Sequence, residues 1–207
     1  MTAPVQAQDG RLPPRAQWQA SSSSKQVKAQ AIGYLIDGDA STRTAGAFSP
    51  GHWFQIDLGR AAQVGGVRLQ WDTSNPEGFL LQTSRDGQRW DTIYTMADSL
   101  GGTETVFFAP HLARYLRLAA PARSADWGVS IYEMQPLGAD AAQLRGVSAA
   151  DAAALWQGGA AVAMPGKGAQ ARQLDIAFPR AFDSAGLIVE FAGAHGAAQL
   201  QAQDAAG

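Results

Sequence analysis

The stretch Val67-Arg68-Leu69-Gln70-Trp71 alternates apolar with polar side chains at every step. A period of two marks a strand with one face in a core and the other toward water. Phe79, Leu81 and Thr83 alternate in the same way with Leu80, Gln82 and Ser84. Further strand candidates on either side are Trp53–Leu58, Trp90–Thr95, Thr105–Phe108, Arg114–Leu118 and Ser130–Gln135. Turn residues separate them at Gly65-Gly66, Asn75-Pro76-Glu77-Gly78, Arg85-Asp86-Gly87, Gly101-Gly102, Pro110 and Pro121. Short strands so spaced, with no helical pattern between them, predict an all-β chain folded as an antiparallel sandwich or barrel.

Composition bounds what such a chain can do. Of 207 residues, 46% are hydrophobic and 16% charged, with 16 Lys and Arg against 18 Asp and Glu for a net charge of -2. The apolar content argues for a buried core and against disorder. Without a clustered basic excess, binding to nucleic acid through phosphate contacts is not expected. No apolar run reaches the roughly 20 residues of a membrane span, and Met1–Gly10 lacks the basic start and apolar stretch of a signal peptide. The absence of cysteine excludes disulfides, zinc thiolate sites and thiol catalysis, and leaves the compartment open.

The first module runs to about Gly138, giving a domain over 1–138. Beyond it the chain turns Ala- and Gly-rich, and 139–171 reads as a linker with a short helix over Ser148–Trp156, capped by Ser148. A partial repeat follows. Ile56-Asp57-Leu58 returns as Leu174-Asp175-Ile176, Gly66–Trp71 as Gly186–Phe191, and Asp86 as Asp204, at nearly constant spacing. Residues 172–207 are therefore expected to form a partial or truncated second β module.

Chemical motifs are few. Asp37-Gly38-Asp39-Ala40-Ser41-Thr42 gathers two carboxylates and two hydroxyls around a glycine, a set suited either to a hard cation or to a turn closed by local hydrogen bonds. It is not an EF-hand, whose twelfth position would be Glu where Phe48 stands. His52, His111 and His195 lie too far apart for a histidine metal site and are expected on loops or the surface. A nucleophile elbow fails at Tyr132 after Gly128-Val129-Ser130-Ile131, and a phosphate loop fails around Gly166-Lys167. Nothing in the spacing tunes Asp72, Glu77, Asp126 or Glu133 as a glycosidase pair. Of six tryptophans, Trp18, Trp53, Trp71 and Trp90 are expected mostly in the core. Trp127 instead follows Arg123-Ser124-Ala125-Asp126 in a polar, turn-like stretch. There an indole either stacks on the apolar face of a sugar or folds back over the sheet edge against Arg123.

Five segments, in order, carry a family resemblance. They are Ala31-Ile32 with Leu35-Ile36-Asp37-Gly38-Asp39-Ala40-Ser41-Thr42-Arg43; Trp53-Phe54-Gln55-Ile56-Asp57-Leu58-Gly59; Ser84-Arg85-Asp86-Gly87-Gln88-Arg89-Trp90; Ala113-Arg114-Tyr115-Leu116-Arg117-Leu118; and Trp127-Gly128-Val129-Ser130-Ile131-Tyr132-Glu133-Met134. Over about 16–138 the chain resembles the coagulation factor V/VIII C-type (discoidin-like) domain, and within it the bacterial family 32 carbohydrate-binding modules. The resemblance implies an antiparallel jelly-roll β-sandwich of the galactose-binding type. It also implies a noncatalytic role, as an accessory module attached to a larger secreted glycoside hydrolase.

It further implies a structural calcium held by Tyr34, Asp37, Asp39, Thr42, Tyr132 and Glu133. The ligands would be the Asp37 and Glu133 carboxylates, the Thr42 hydroxyl, and the Tyr34, Asp39, Thr42 and Tyr132 carbonyls. The sugar site would lie in the loops Thr44–His52, Asp72–Gly78, Ala97–Gly102 and Ser124–Trp127. A pyranose presents an apolar face and a rim of hydroxyls, so Trp127 is the expected platform, with Arg123, Asp72 and Asn75 as hydrogen-bonding residues. An Arg123–Asp72 ion pair is the alternative use of those two. A galactose-type glycan is the implied partner, though Thr44 stands where relatives carry an aromatic. The second copy has no Asp-Gly-Asp loop and no calcium is expected there. Membrane or protein adhesion, as in the discoidin relatives, is the competing class, and the scarcity of Lys and Arg in these loops disfavours docking to anionic lipid. The implied location is secreted or periplasmic.

Overall fold

A computed structural model of the chain describes residues 11–24, 30–46, 51–120, 128–140, 142–145 and 175–178. It divides into two units, Met1–Asp140 and Ala141–Gly207, a boundary two residues beyond the expected one. Among the described residues the first unit holds seven strands: β1 (Gln19–Ser22), β2 (Thr44–Ala45), β3 (His52–Trp71), β4 (Phe79–Ser84), β5 (Asp91–Met96), β6 (Thr103–Ala120) and β7 (Ser130–Gly138). All its pairings are antiparallel.

Two of these strands are longer than the sequence pattern suggested, and both contribute to two layers. The first half of β3, up to Asp57, lies between β1 and the second half of β6, and β4 and then β5 continue that layer outward. The second half of β3, from Val64, lies between β7 and the first half of β6, with β2 beyond β7. Register shifts between Asp57 and Ala62 and between Val64 and Gly66 mark the passage from one layer to the other.

The expected turns at Gly65-Gly66 and Pro110 are therefore bends inside continuous strands. A Cβ on Gly65 would sit 2.8 Å from the Gly138 carbonyl oxygen, and one on Gly66 would sit 2.7 Å from that of Val106, so only glycine admits these close backbone approaches. Pro110 falls where β6 is out of register with β3, at a point where its missing N–H costs no ladder bond.

Between the layers, Phe54, Ile56, Phe79, Leu81, Leu116 and Leu118 of one meet Val67, Leu69, Trp71, Val106, Ile131 and Met134 of the other in a single buried cluster. Burial of each such side chain contributes roughly 1.5–3 kcal/mol before entropy is counted.

The alternation that turns Phe54 and Ile56 inward turns Trp53 outward. Of the tryptophans expected in the core, Trp71 is buried and Trp18 packs against the cluster. Trp53 and Trp90 instead lie half-buried on the outer face, where the Arg117 guanidinium stands 4.4 Å from one ring centroid and 3.6 Å from the other. Beside them Arg114 makes a two-pronged ion pair with Asp57, both bonds 2.8 Å. This bond in particular holds the Asp57 carboxyl below the usual range.

In the second unit, β8 (Gln143–Arg145) pairs antiparallel with β9 (Asp175–Ala177). β9 overlaps the segment Leu174–Ile176. Its partner Gln143–Arg145 lies within the stretch read as linker, so those three residues are strand. The expected helix over Ser148–Trp156 and the repeat segment Gly186–Phe191 lie outside the described residues.

Candidate functional site

A 3-10 turn over Ile32–Ile36, anchored by buried Leu35 and containing Tyr34, delivers the chain to Asp37. Gly38 then adopts a left-handed φ of +82°. Asp37 Oδ1 accepts the Asp39 N–H at 2.9 Å, and Asp39 Oδ1 accepts both the Ser41 N–H and hydroxyl. Those two Ser41 bonds hold the Asp39 carboxyl below its ordinary pKa. The Thr42 hydroxyl lies 2.7 Å from Asp37 Oδ2 and 3.0 Å from the Asp39 carbonyl oxygen.

Glu133, on β7, closes this loop from the far end of the domain. Its Oε2 accepts the Gly38 N–H at 2.9 Å and its Oε1 pairs with Arg15 at 2.7 Å. The residue is only 4% exposed, and burial pushes its carboxyl up in pKa.

The loop thus closes by local hydrogen bonds, and it also presents the oxygen types a hard cation takes. Carboxylate, carbonyl and hydroxyl oxygens of Asp37, Asp39 and Thr42 cluster within hydrogen-bonding distance, and Asp37 acts on Glu133 as a like charge. Among the described residues no three His, Cys, Asp or Glu side chains gather as metal ligands. A cation here would therefore rest on two carboxylates supplemented by neutral oxygens, which is the donor set of a calcium site. The residues fit the ion that the resemblance implies. Arg15, which the sequence reading missed, supplies Glu133 with one positive charge.

The second cluster begins where β3 ends. Asp72 is 16% exposed at its side chain; Oδ1 accepts the Tyr132 hydroxyl at 3.0 Å and Oδ2 lies 3.2 Å from Arg43. Burial alone would raise its pKa. Hydrogen bonds from the Thr73 N–H, Tyr132 and Ser130, together with the Arg43 charge, outweigh burial and hold it low. Tyr132, expected to offer its carbonyl to calcium, thus spends its hydroxyl on Asp72.

The Asp72–Gly78 loop is tied to Ala97–Gly102. Asn75 Nδ2 reaches the Ser99 carbonyl and hydroxyl, both at 3.4 Å, and the Ser99 N–H bonds the Glu77 carbonyl at 2.7 Å. Glu104 fastens the second loop from below, accepting Trp71 Nε1 at 2.6 Å, the Ser99 hydroxyl at 2.9 Å and the Leu100 N–H at 2.9 Å. Leu100 stands 85% exposed at the tip.

Asp72 and Asn75 therefore lie on one loop, as expected, both engaged inside the protein. Trp127 and Arg123 lie outside the described residues. Among the described residues the guanidinium at Asp72 is that of Arg43. Its position beside Thr42 was visible in sequence, whereas its partner, like Glu104, was not.

Histidines depart from expectation in one case. His52 is 3% exposed on β3, with Nδ1 2.8 Å from the Ser23 hydroxyl and Nε2 without a partner among the described residues. Its ring packs on Phe54 and leaves no room for a side chain at Gly46. Burial pulls its pKa down to about 4. The inward phase of β3 explains this, since His52 shares a face with Phe54 and Ile56. His111 is half-buried on β6 near Phe108, and His195 lies outside the described residues. Among the described residues no helix is long and apolar enough to cross a membrane.

Comparison with known proteins agrees with this architecture. A family model described as F5/F8 type C, NedA-like, galactose-binding domain matches residues 34–118. No curated protein matches the sequence. Among solved structures, chitosan-binding module 1 of a Paenibacillus sp. IK-5 chitosanase/glucanase is 26% identical, with TM-score 0.56, over 59% of this chain and 96% of the module. Module 2 of the same enzyme, solved in complex with chitotriose, is also 26% identical, with TM-score 0.55, over 59% of this chain and 97% of the module. CpGH89CBM32-5 of Clostridium perfringens, in complex with GalNAc-β-1,3-galactose, shares the fold at 17% identity and TM-score 0.56, over 61% of this chain and 99% of that one. Residues 34–118 thus resemble the F5/F8 type C family, and the β-sandwich built on β3 and β6 has the galactose-binding-like fold of these relatives.

Proposed function

We propose that the first unit is a noncatalytic glycan-binding module that binds through the loops Asp72–Gly78 and Ala97–Gly102 together with Trp127. The observation that carries this reading is the match, at 26% identity and over nearly their whole length, to two chitosan-binding modules, one of them holding chitotriose. A loop pair fastened by Asn75 and Glu104 suits weak ligands, because little ordering entropy is left to lose on binding. The absence of catalysis is supported by the carboxylates themselves. Asp72, one of the four that could be drawn into a glycosidase pair, already holds Arg43 and the Tyr132 hydroxyl.

Charge favours one sugar class. The two loops carry Asp72, Glu77 and Asp98 and no Lys or Arg, so a cationic amino sugar such as glucosamine suits them better than a uronic acid. Galactose-type glycans are the second probe. Titration of the chain with chitotriose, its N-acetylated counterpart and a galactose disaccharide tests the reading, with tightest binding expected for chitotriose. Failure of all three to bind would remove it. The exposed Leu100 favours membrane adhesion, so liposome sedimentation belongs beside the titration.

Calcium, in this reading, is held by Asp37, Asp39, Thr42, Glu133 and the carbonyls of Tyr34 and Tyr132, and serves structure by tying the loop to β7. The module works outside the cytoplasm, secreted or periplasmic, joined covalently to a glycoside hydrolase that it holds near its polymer.

A further inference from the structure

Two adjacent residue pairs connect the Asp37 loop to the glycan loop. In Thr42-Arg43, the Thr42 hydroxyl bonds Asp37 Oδ2 at 2.7 Å while Arg43 Nη1 reaches Asp72 Oδ2 at 3.2 Å. In Tyr132-Glu133, Glu133 Oε2 accepts the Gly38 N–H at 2.9 Å while the Tyr132 hydroxyl bonds Asp72 Oδ1 at 3.0 Å. The pairs lie side by side, because β2 and β7 are in register at Thr44↔Ile131 and Ala45↔Ser130. Arg43 Nη1 also donates to the Ser130 hydroxyl at 2.8 Å, and the Asp72 N–H bonds the Ser130 carbonyl at 3.2 Å. Both oxygens of Asp72, the first residue of the glycan loop, are thus held by neighbours of residues that close the Asp37 loop.

The geometry points to an energetic coupling between the two loops, in which a divalent cation taken up at Asp37, Asp39 and Thr42 tightens glycan binding at Asp72–Gly78. This inference rests on the glycan-binding and calcium readings above. A cation competes for the same oxygens that now close the loop through Thr42, so its uptake changes how Thr42 is held, and Arg43 is the next residue along the backbone. Coupling of this kind is reciprocal: the factor by which cation tightens glycan binding is the factor by which glycan tightens cation binding. Contiguity alone is no demonstration of coupling, so Arg43 serves as the probe. It is a positioning residue here, acting through Asp72.

The experiment is calorimetric titration of chitotriose into the full chain with calcium chloride present and with it removed by chelator, alongside calcium titrations with and without chitotriose. The expected result is an affinity about fivefold higher with calcium, and the same factor in the reverse direction. Arg43→Gln should keep the rise in melting temperature on adding calcium but show equal chitotriose affinity in both conditions. Chitotriose binding that is indifferent to calcium in the wild-type chain overturns the coupling and leaves the glycan reading standing. A melting temperature that calcium does not move overturns it through the cation site, and no chitotriose binding in either condition overturns both it and the glycan reading.

Discussion

The Glu133 carboxylate accepts the Gly38 backbone N–H at 2.9 Å across 95 positions of sequence, joining the last long strand of the sandwich to the loop that follows its 3-10 turn. With Arg15 on its other oxygen, Glu133 ties three separate segments together in a place almost closed to water.

Replacing Glu133 by Ala should therefore leave the Gly38 N–H and the Arg15 guanidinium without this acceptor. The expected cost is about 1–2 kcal/mol, that of losing hydrogen bonds to a charged group whose partners keep some access to water. Glu133→Gln should cost less, since it keeps an acceptor for Gly38. Urea denaturation followed by tryptophan fluorescence measures both, and equal stability of Glu133→Ala and wild type would show that the tie carries no weight.

Calcium should add to this tie. Linkage raises stability by roughly 2.7 kcal/mol at about 100 times the dissociation constant of the ion. Scanning calorimetry with calcium and then with excess chelator should show a higher melting temperature in calcium. Asp37→Asn should shrink the difference, and identical scans for the wild-type chain would rule out a bound ion.

His52 gives a pH dependence whose sign is fixed by burial. Its folded pKa is near 4, below the unfolded value near 6.5, so the unfolded chain binds the extra proton between those limits. Stability from this group is complete above about pH 6.5 and falls as the pH drops toward 4, by about 1–3 kcal/mol. Denaturation midpoints from pH 7.5 to 4 should follow that fall in the wild-type chain and flatten in His52→Gln. A parallel fall in both proteins would place the acid sensitivity elsewhere.

Arg117 stands between Trp53 and Trp90 on the outer face of the sandwich. Arg117→Ala should cost about 2 kcal/mol through the loss of two cation–π contacts and of the packing of its stem, and Arg117→Lys about half as much. If Arg117→Ala melts like the wild-type chain, the stack is a surface ornament without energetic weight.

Local patterns account for what was legible in the sequence. The strands announced themselves through alternation at Val67–Trp71 and Phe79–Ser84, and the Asp37 loop through hydroxyls and carboxylates packed into six residues. Bends were misread as turns because glycine and proline serve both: at Gly65-Gly66 and Pro110 the deciding fact is a neighbouring backbone from Gly138 or Val106, or the register against β3. Trp53 and Trp90 were placed in the core because an indole is apolar, yet strand phase and Arg117 keep them outside. The partners of Asp72 and Glu133 were hidden for a simpler reason. Arg15 lies 118 positions from Glu133 and Tyr132 lies 60 from Asp72, and nothing local specifies which guanidinium or hydroxyl will arrive.

In the proposed function these loops hold a glycan with Trp127 as its platform. Its most direct test is titration of chitotriose into the wild-type chain and into Trp127→Ala at fixed calcium. Wild-type binding is expected near millimolar, about -4 kcal/mol, as suits a shallow site, with at least a tenfold loss in Trp127→Ala. Equal binding by the two proteins would contradict the platform, and no glycan binding alongside clear sedimentation with anionic liposomes would contradict the claim itself.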